Sequence, residues 1–198
     1  ASKVILKELS FDVKAGESIA LVGPTGAGKS TVVNLISRFY NINDGRVLID
    51  GYDISKVTLH SLRSQMGIML QDSFIFSGTI KDNVRYGRLD ATDEEIVKAC
   101  ETVCANEFIE EMPDGYDTVV TERGGGLSQG QKQLIAFART LLSDPKILIL
   151  DEATSSIDTK TERQLQIGLN KLLEGRTSFI IAHRLSTIRN CDRIMYVS

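Results

Sequence analysis

Gly23-Pro24-Thr25-Gly26-Ala27-Gly28-Lys29-Ser30 matches the G-x-x-x-x-G-K-[ST] pattern of a phosphate-binding loop. Its flanks are the ones that the pattern requires. Ile19, Ala20, Leu21 and Val22 make a short apolar strand before it, and Val32, Val33, Leu35, Ile36 and Phe39 recur at helical spacing after it. Glycines let such a loop curl until its amides face phosphate oxygens. A helix opening at Lys29 turns its positive end toward the same anion. Lys29 adds a mobile point charge for the β- and γ-phosphates, Ser30 offers a hydroxyl to Mg²⁺, and Thr31 reaches a further phosphate oxygen. A glycine-rich turn with a chance Lys-Ser would lack both flanking elements.

The 198 residues suffice for one α/β domain, or for a core with a small subdomain. A net charge of −3 leaves no basic excess to neutralise a phosphate backbone, so no nucleic-acid partner is expected. Apolar runs last only a few residues, too short to span a bilayer, and no signal-peptide pattern opens the chain. Cys100, Cys104 and Cys191 are odd in number and lack framework spacing, which reads as reduced thiols of a cytosolic protein. The chain opens almost at once into a strand-like stretch, Val4–Val13, and stops inside another, Ile194–Val197. Both ends read as those of a domain cut from something longer.

Strand and helix patterns alternate along the chain, and each strand carries polar chemistry at its C-terminal end. Ile19–Val22 runs into the phosphate loop, Gly67–Leu70 ends at Gln71, Ile147–Leu150 at Asp151 and Glu152, and Ser178–Ala182 at His183. Near-continuous apolar runs mark parallel strands covered on both faces, and open α/β sheets bind ligands along the C-terminal edge. Four distant stretches are therefore expected to converge. Asp151 is suited to hold Mg²⁺ directly or through water, Glu152 to act as general base toward water, Gln71 to orient water or touch the metal, and His183 to donate to a γ-phosphate. Taken singly, each is explained as well by a polar residue that ends a strand. The upstream loop is what favours the chemical reading.

Leu127-Ser128-Gln129-Gly130-Gln131 precedes a helix whose apolar positions are Leu134, Ile135, Phe137, Ala138, Leu141 and Leu142. Ser128 and Gln131 fit a capping box. The run Gly124-Gly125-Gly126 is not needed for a cap and implies a backbone lying close to something. With the Ser128 hydroxyl and Gly130 at a helix N-terminus, this is a second anion site. Two half-sites for one γ-phosphate in a single chain imply a head-to-tail pair.

In combination these stretches resemble an ATP-binding cassette (ABC) ATPase domain. Gly23–Ser30 is similar to Walker A, Gln71 to the Q-loop, Leu127–Gln131 to the family signature, Ile147–Glu152 to Walker B, Ser155-Ser156-Ile157-Asp158 to the D-loop and His183 to the H-loop. The likeness covers nearly the whole chain in the family's order. It implies an α/β fold, with a RecA-like P-loop NTPase core, an antiparallel β flank and a helical subdomain insertion. The core would take 1–72 and 145–198 and the insertion 73–144, with Thr92–Glu111 helical, Pro113-Asp114-Gly115 a turn, and Thr161–Leu173 an amphipathic helix packed back on the core. It also implies hydrolysis of ATP between two chains. Gly23, Pro24, Thr25, Gly26, Ala27, Gly28, Lys29, Ser30 and Thr31 would hold the nucleotide, and Ser30, Gln71 and Asp151 would serve Mg²⁺. Lys29, Gln71, Glu152 and His183 would be the catalytic set, while Ser128, Gly130, Gln131 and Asp158 would reach the other chain's ATP.

Finer features resemble exporters. Leu62-Arg63, Gln71, Phe76, Thr79–Val84 and Tyr86-Gly87 are similar to the exporter pattern around the groove that receives transmembrane domains, here near Gln71–Phe76, and Thr121–Gly124 is similar to the exporter x-loop. The resemblance implies work at the cytoplasmic face of the cell membrane. Two departures stand out. Gln129 replaces the first glycine of the usual Leu-Ser-Gly-Gly-Gln, which fits one half of a heterodimeric exporter whose own Glu152 and His183 are intact; a homodimer is the alternative. The family stacks adenine on an aromatic residue upstream of Walker A, yet none precedes Phe11, so that residue is expected before Ala1 and the fragment is expected to bind ATP weakly. Rival readings are a soluble ABC ATPase acting on DNA or ribosomes, a non-hydrolysing regulatory module and a P-loop kinase. Neither basic arms nor coiled-coil insertions are present for the first, Glu152 and His183 argue against the second, and the Ser128 segment has no use in the third.

Overall fold

The computed structural model describes residues 5–70, 73–152 and 156–198. The elements run β1 (Ser18–Val22), α1 (Lys29–Ile36), β2 (Leu48–Ile49), β3 (Tyr52–Asp53), α2 (Leu59–Arg63), β4 (Met66–Met69), β5 (Gly78–Thr79), α3 (Ile80–Arg85), α4 (Asp93–Thr102) and α5 (Asn106–Glu111). They continue with β6 (Val119–Val120), α6 (Gln129–Ser143), β7 (Ile147–Asp151), α7 (Thr159–Leu173), β8 (Thr177–Ile181), α8 (Leu185–Asn190) and β9 (Arg193–Tyr196). The fold is mixed α/β, built on a five-stranded sheet in the order β4-β7-β8-β1-β9. The chain forms two compact units. One holds residues up to Ile68 with Lys146–Glu152 and Gly175–Ser198, and the other holds Met69–Pro145 and the stretch that ends at Glu174.

In the first unit β7, β8, β1 and β9 pair in parallel. The inner residues of β1, β7 and β8 are mainly apolar and buried, the pattern of parallel strands shielded on both faces. Ile19, Leu21, Leu148, Ile149, Leu150 and Ile180 are fully buried, with Val32 and Val33 of α1 beside them. The strands read from the sequence lie within a residue or two of those observed. The antiparallel element of this unit is the β2–β3 hairpin, in which Leu48 faces Asp53 and Ile49 faces Tyr52 across the Asp50-Gly51 turn. Val4–Val13, read as strand, is corrected. Ile5–Val13 forms no strand, because Glu8 takes a left-handed φ of 53° and interrupts the extended run, leaving Ile5 and Leu9 exposed.

The second unit is mainly helical. Thr92–Glu111 is not one helix. α4 stops at Thr102, Cys104 takes a φ of 64°, and α5 starts afresh at Asn106. Cys104 therefore does not share a helix face with Cys100. α7 packs along α6 within this unit, with Leu165, Leu169 and Leu172 buried, so the unit holds α7 in addition to the 73–144 stretch expected from sequence. An amphipathic pattern specifies an apolar face without specifying which surface receives it.

Arg139 of α6 ties this unit together. Its guanidinium donates to the carbonyls of Asn83 (2.8 Å) and Phe74 (2.7 Å) and lies over the rings of Phe76 and Tyr86 at 5.7 and 5.9 Å. Arg139→Met keeps the stem and removes the donors, so both carbonyls lose a charged partner. We expect a loss of about 2–3 kcal/mol, the scale for hydrogen bonds to a charged group. A lowered urea midpoint at unchanged slope would register it.

Candidate functional site

The loop between β1 and α1 is shaped for an anion. Gly28 caps α1 in a left-handed conformation (φ 108°), no side chain caps the helix, and no acidic residue sits in its first turn. α3 and α6, by contrast, carry full capping boxes. The amides that open α1 are thus left for a ligand, at the positive end of the helix. The Lys29 ammonium folds across the loop onto the carbonyls of Gly23 and Pro24, the latter at 3.0 Å. Ser30 is exposed and Thr31 half-buried on the first turn of α1. Gly23 is pressed against β9's end, where a Cβ would lie 2.0 Å from the Val197 carbonyl oxygen.

Parallel register brings the other residues of this unit to the same rim. Leu21 pairs with Ile181, and Ile181 with Asp151, so one row crosses β1, β8 and β7. Adjacent strands stand about 4.8 Å apart, so the row spans about 10 Å. Gly23 lies two residues beyond its start and His183 two residues beyond its middle. The ladder continues past the row, with the Ala182 amide on Leu21 O (3.1 Å) and the Glu152 amide on Ile181 O (3.0 Å). The phosphate loop, Asp151, Glu152 and His183 therefore share one edge.

Asp151 is 7% exposed, and its Oδ1 has no hydrogen-bond partner among the described residues. His183 Nε2 stands 3.4 Å from that atom, within ion-pair range but without making a hydrogen bond. A buried carboxylate oxygen left without a partner is costly. A hard cation would relieve it. Mg²⁺ takes oxygen ligands, keeps several waters and needs only one or two carboxylates. Asp151 and the Ser30 hydroxyl supply such a set, and among the described residues no cluster of three or more His, Cys, Asp or Glu favours a softer metal. The residues present fit Mg²⁺. Gln71, the third expected ligand, lies outside the described residues, as does Ser155 of the D-loop stretch.

Glu152 is differently placed. Its Oε2 accepts the amides of His183 (2.8 Å) and Arg184 (2.9 Å), and its Oε1 faces the Arg184 guanidinium and accepts the Thr187 hydroxyl. Sequence reasoning did not find Arg184 and Thr187. The available signal was the polar Arg184-Leu185-Ser186-Thr187 run directly after His183, at the mouth of a helix.

The second unit gathers the remaining residues. Ser128 Oγ accepts the Gln131 amide at 3.2 Å and Gln131 Oε1 accepts the Ser128 amide at 3.0 Å, which is the expected capping box. The cap uses Ser128 only as an acceptor, so its hydroxyl proton still has a direction to donate. Gly130 brings α6 against the start of α7, since a Cβ there would lie 2.3 Å from Thr161 Cγ2 and 3.2 Å from Ile157 Cγ2. Asp158 caps α7 by accepting the Thr161 amide at 3.0 Å. Ser128, Gly130, Gln131 and Asp158 thus sit around two neighbouring helix N-termini. Two glycines of the run before them lie close to protein, Gly124 against Ile75 and Gly125 against Thr121, while Gly126 is open; the Arg123 amide donates to Ile75 O at 3.1 Å. In the segment expected to meet transmembrane domains, Ile75 is core while Phe74 is 68% exposed, and Phe76 and Tyr86 pack edge to face at 5.2 Å.

Comparison with known proteins gives the family. The ABC transporter family profile matches residues 6–155. The chain is 62% identical over 190 residues to an uncharacterized ABC transporter ATP-binding protein, YfiC, of Bacillus subtilis, covering 96% of this chain and 32% of that protein. It is 52% identical over 193 residues to a fatty acid ABC transporter ATP-binding/permease protein of Mycobacterium bovis, covering 98% of this chain and 31% of the relative. Among solved structures, a bacterial Atm1-family ABC exporter with ATP bound superposes with a TM-score of 0.89 at 48% identity, over 98% of this chain and 34% of that one. The chain spans about one third of the length of the relatives it matches. Among the described residues no helix is long and apolar enough to cross a membrane. With the loop, the rim and the capped signature helix all in the family's pattern, this chain belongs to the ABC transporter family as an ATP-binding domain of the ATPase type.

Proposed function

We propose that this domain binds Mg-ATP at the β1–α1 loop, hydrolyses it, and pairs head-to-tail with a second such domain to drive export through transmembrane domains at the cytoplasmic face of the membrane. The row Leu21–Ile181–Asp151 carries the reading, because it aligns loop, metal carboxylate and imidazole on one edge. Gly23–Thr31 hold the phosphates, with Lys29 neutralising them. Ser30 and Asp151, with Gln71, hold the Mg²⁺, which when bound neutralises phosphate charge. Glu152 takes the proton of the attacking water, and His183 holds the γ-phosphate. Ser128, Gly130, Gln131 and Asp158 meet the nucleotide of the partner domain. The exposed Phe74 beside Phe76 and Tyr86 supports a docking surface for transmembrane domains near Gln71–Phe76.

Gln129 supports a finer reading, a heterodimer in which this chain brings intact Walker residues and a weakened signature. The test is phosphate release by the full chain, alone and mixed with a partner whose signature has glycine at the matching position. We expect slow turnover alone and a rise of about tenfold or more on mixing, the range for one buried charge-stabilising contact. Full turnover of this chain by itself would reject the heterodimer, and absence of turnover in both arms would reject the ATPase reading.

A further inference from the structure

The Glu152 carboxylate is 2% exposed and surrounded by donors. Two are amides of the turn between β8 and α8, His183 and Arg184, and both meet Oε2. The other two are side chains, and both meet Oε1: the Arg184 guanidinium at 3.5 Å and the Thr187 hydroxyl. Thr187 is itself 1% exposed. A carboxylate has about four lone-pair sites, and donors among the described residues already meet both oxygens. A general base must present a lone pair to the proton it takes, within about 2.6–3.2 Å of the water oxygen. As it stands, both oxygens of Glu152 are already engaged.

The two oxygens differ in what covers them. The amides belong to the backbone of a turn held by the β8 ladder, so they fix the carboxylate at Oε2. The donors on Oε1 belong to side chains that can rotate away. We propose that Thr187 and Arg184 are positioning residues that keep Oε1 covered in the resting domain, and that hydrolysis proceeds from an arrangement in which Oε1 has left them. The inference rests on the reading of Glu152 as the base that accepts the water proton. It also links two parts of the site. The carboxylate holds the amide of His183, so the turn that carries the imidazole is anchored by the group that must be uncovered.

The test is steady-state ATP hydrolysis by the full chain with its partner domain. Thr187→Val removes the hydroxyl at nearly constant volume, and Thr187→Ser keeps it. Thr187→Val is expected to raise kcat about tenfold or more, the population shift that one hydrogen bond to a charged group commands, with KM for ATP within about twofold of wild type. Thr187→Ser is expected to behave as wild type. A Thr187→Val protein that binds ATP normally but turns over at or below the wild-type rate overturns the proposal. Should Thr187→Val melt early, Arg184→Met carries the same expectation and the same overturning result. Adding Glu152→Gln to Thr187→Val separates the two claims. Turnover should then collapse, and if it stays raised, the assignment of the base fails instead of the cover on it.

Discussion

Glu152→Gln is expected to bind Mg-ATP as wild type does and to hydrolyse it ~10²-fold more slowly or worse, the scale for a lost general base. The surroundings of Glu152 make this substitution a clean one. The amide oxygen of a glutamine can still accept the His183 and Arg184 amides that meet Oε2 at 2.8 and 2.9 Å, so the turn into α8 keeps its anchor. The amide nitrogen takes the place of Oε1, where the Thr187 hydroxyl can reverse and accept. What is lost is the capacity to hold a proton, together with the attraction to Arg184. Glu152→Ala would be less informative, because it strips all these donors of their acceptor and leaves buried polar groups unpaired. Calorimetry with ATP and Mg²⁺ reads the binding side, and single-turnover phosphate release reads the chemistry. Wild-type turnover in Glu152→Gln would move the base elsewhere, and a parallel loss of binding would make Glu152 a structural anchor.

Sequence and structure agree most where the information is local. The loop Gly23–Ser30, the strands that end at Asp151 and near His183, and the Ser128–Gln131 cap are each specified by a few contiguous residues, and each is where its pattern put it. The convergence at the rim was also legible, because parallel strands with polar C-terminal ends leave few alternatives. Long-range choices were not. α7 has the apolar face that its spacing announces and packs along α6, and periodicity carries no information about the receiving surface. The break at Cys104 is a left-handed residue in a sequence that favours helix on both sides. The Val4–Val13 stretch has strand-like composition, yet a strand needs a continuous extended backbone, which Glu8 interrupts. The donors around Glu152 lie 31 to 35 residues away in sequence, and only the fold shows that they meet it.

Gly23→Ala is expected to destabilise the domain by about 4 kcal/mol and to abolish ATP binding, whereas Gly26→Ala in the same loop should cost only about 1–2 kcal/mol, the backbone penalty alone. Both glycines have positive φ, 142° at Gly23 and 82° at Gly26, so both substitutions strain the backbone. They differ in surroundings. A Cβ at Gly26 meets nothing within 4 Å. At Gly23 it would lie 2.0 Å from the Val197 carbonyl oxygen and 3.1 Å from its carbon. That carbonyl cannot step aside cheaply, because the Val197 amide donates to Val22 O at 2.8 Å and β9 is paired to β1 through Ile194, Met195 and Tyr196. Relief therefore requires either opening the β1–β9 ladder or displacing the loop, and Lys29, which rests on the carbonyl of Gly23, moves with it. Urea unfolding of both variants, with calorimetry at a temperature where each remains folded, measures the difference. If the two alanines cost the same within about 1 kcal/mol, close approach of β9 does not shape the phosphate loop, and the glycine at 23 serves the backbone angle alone.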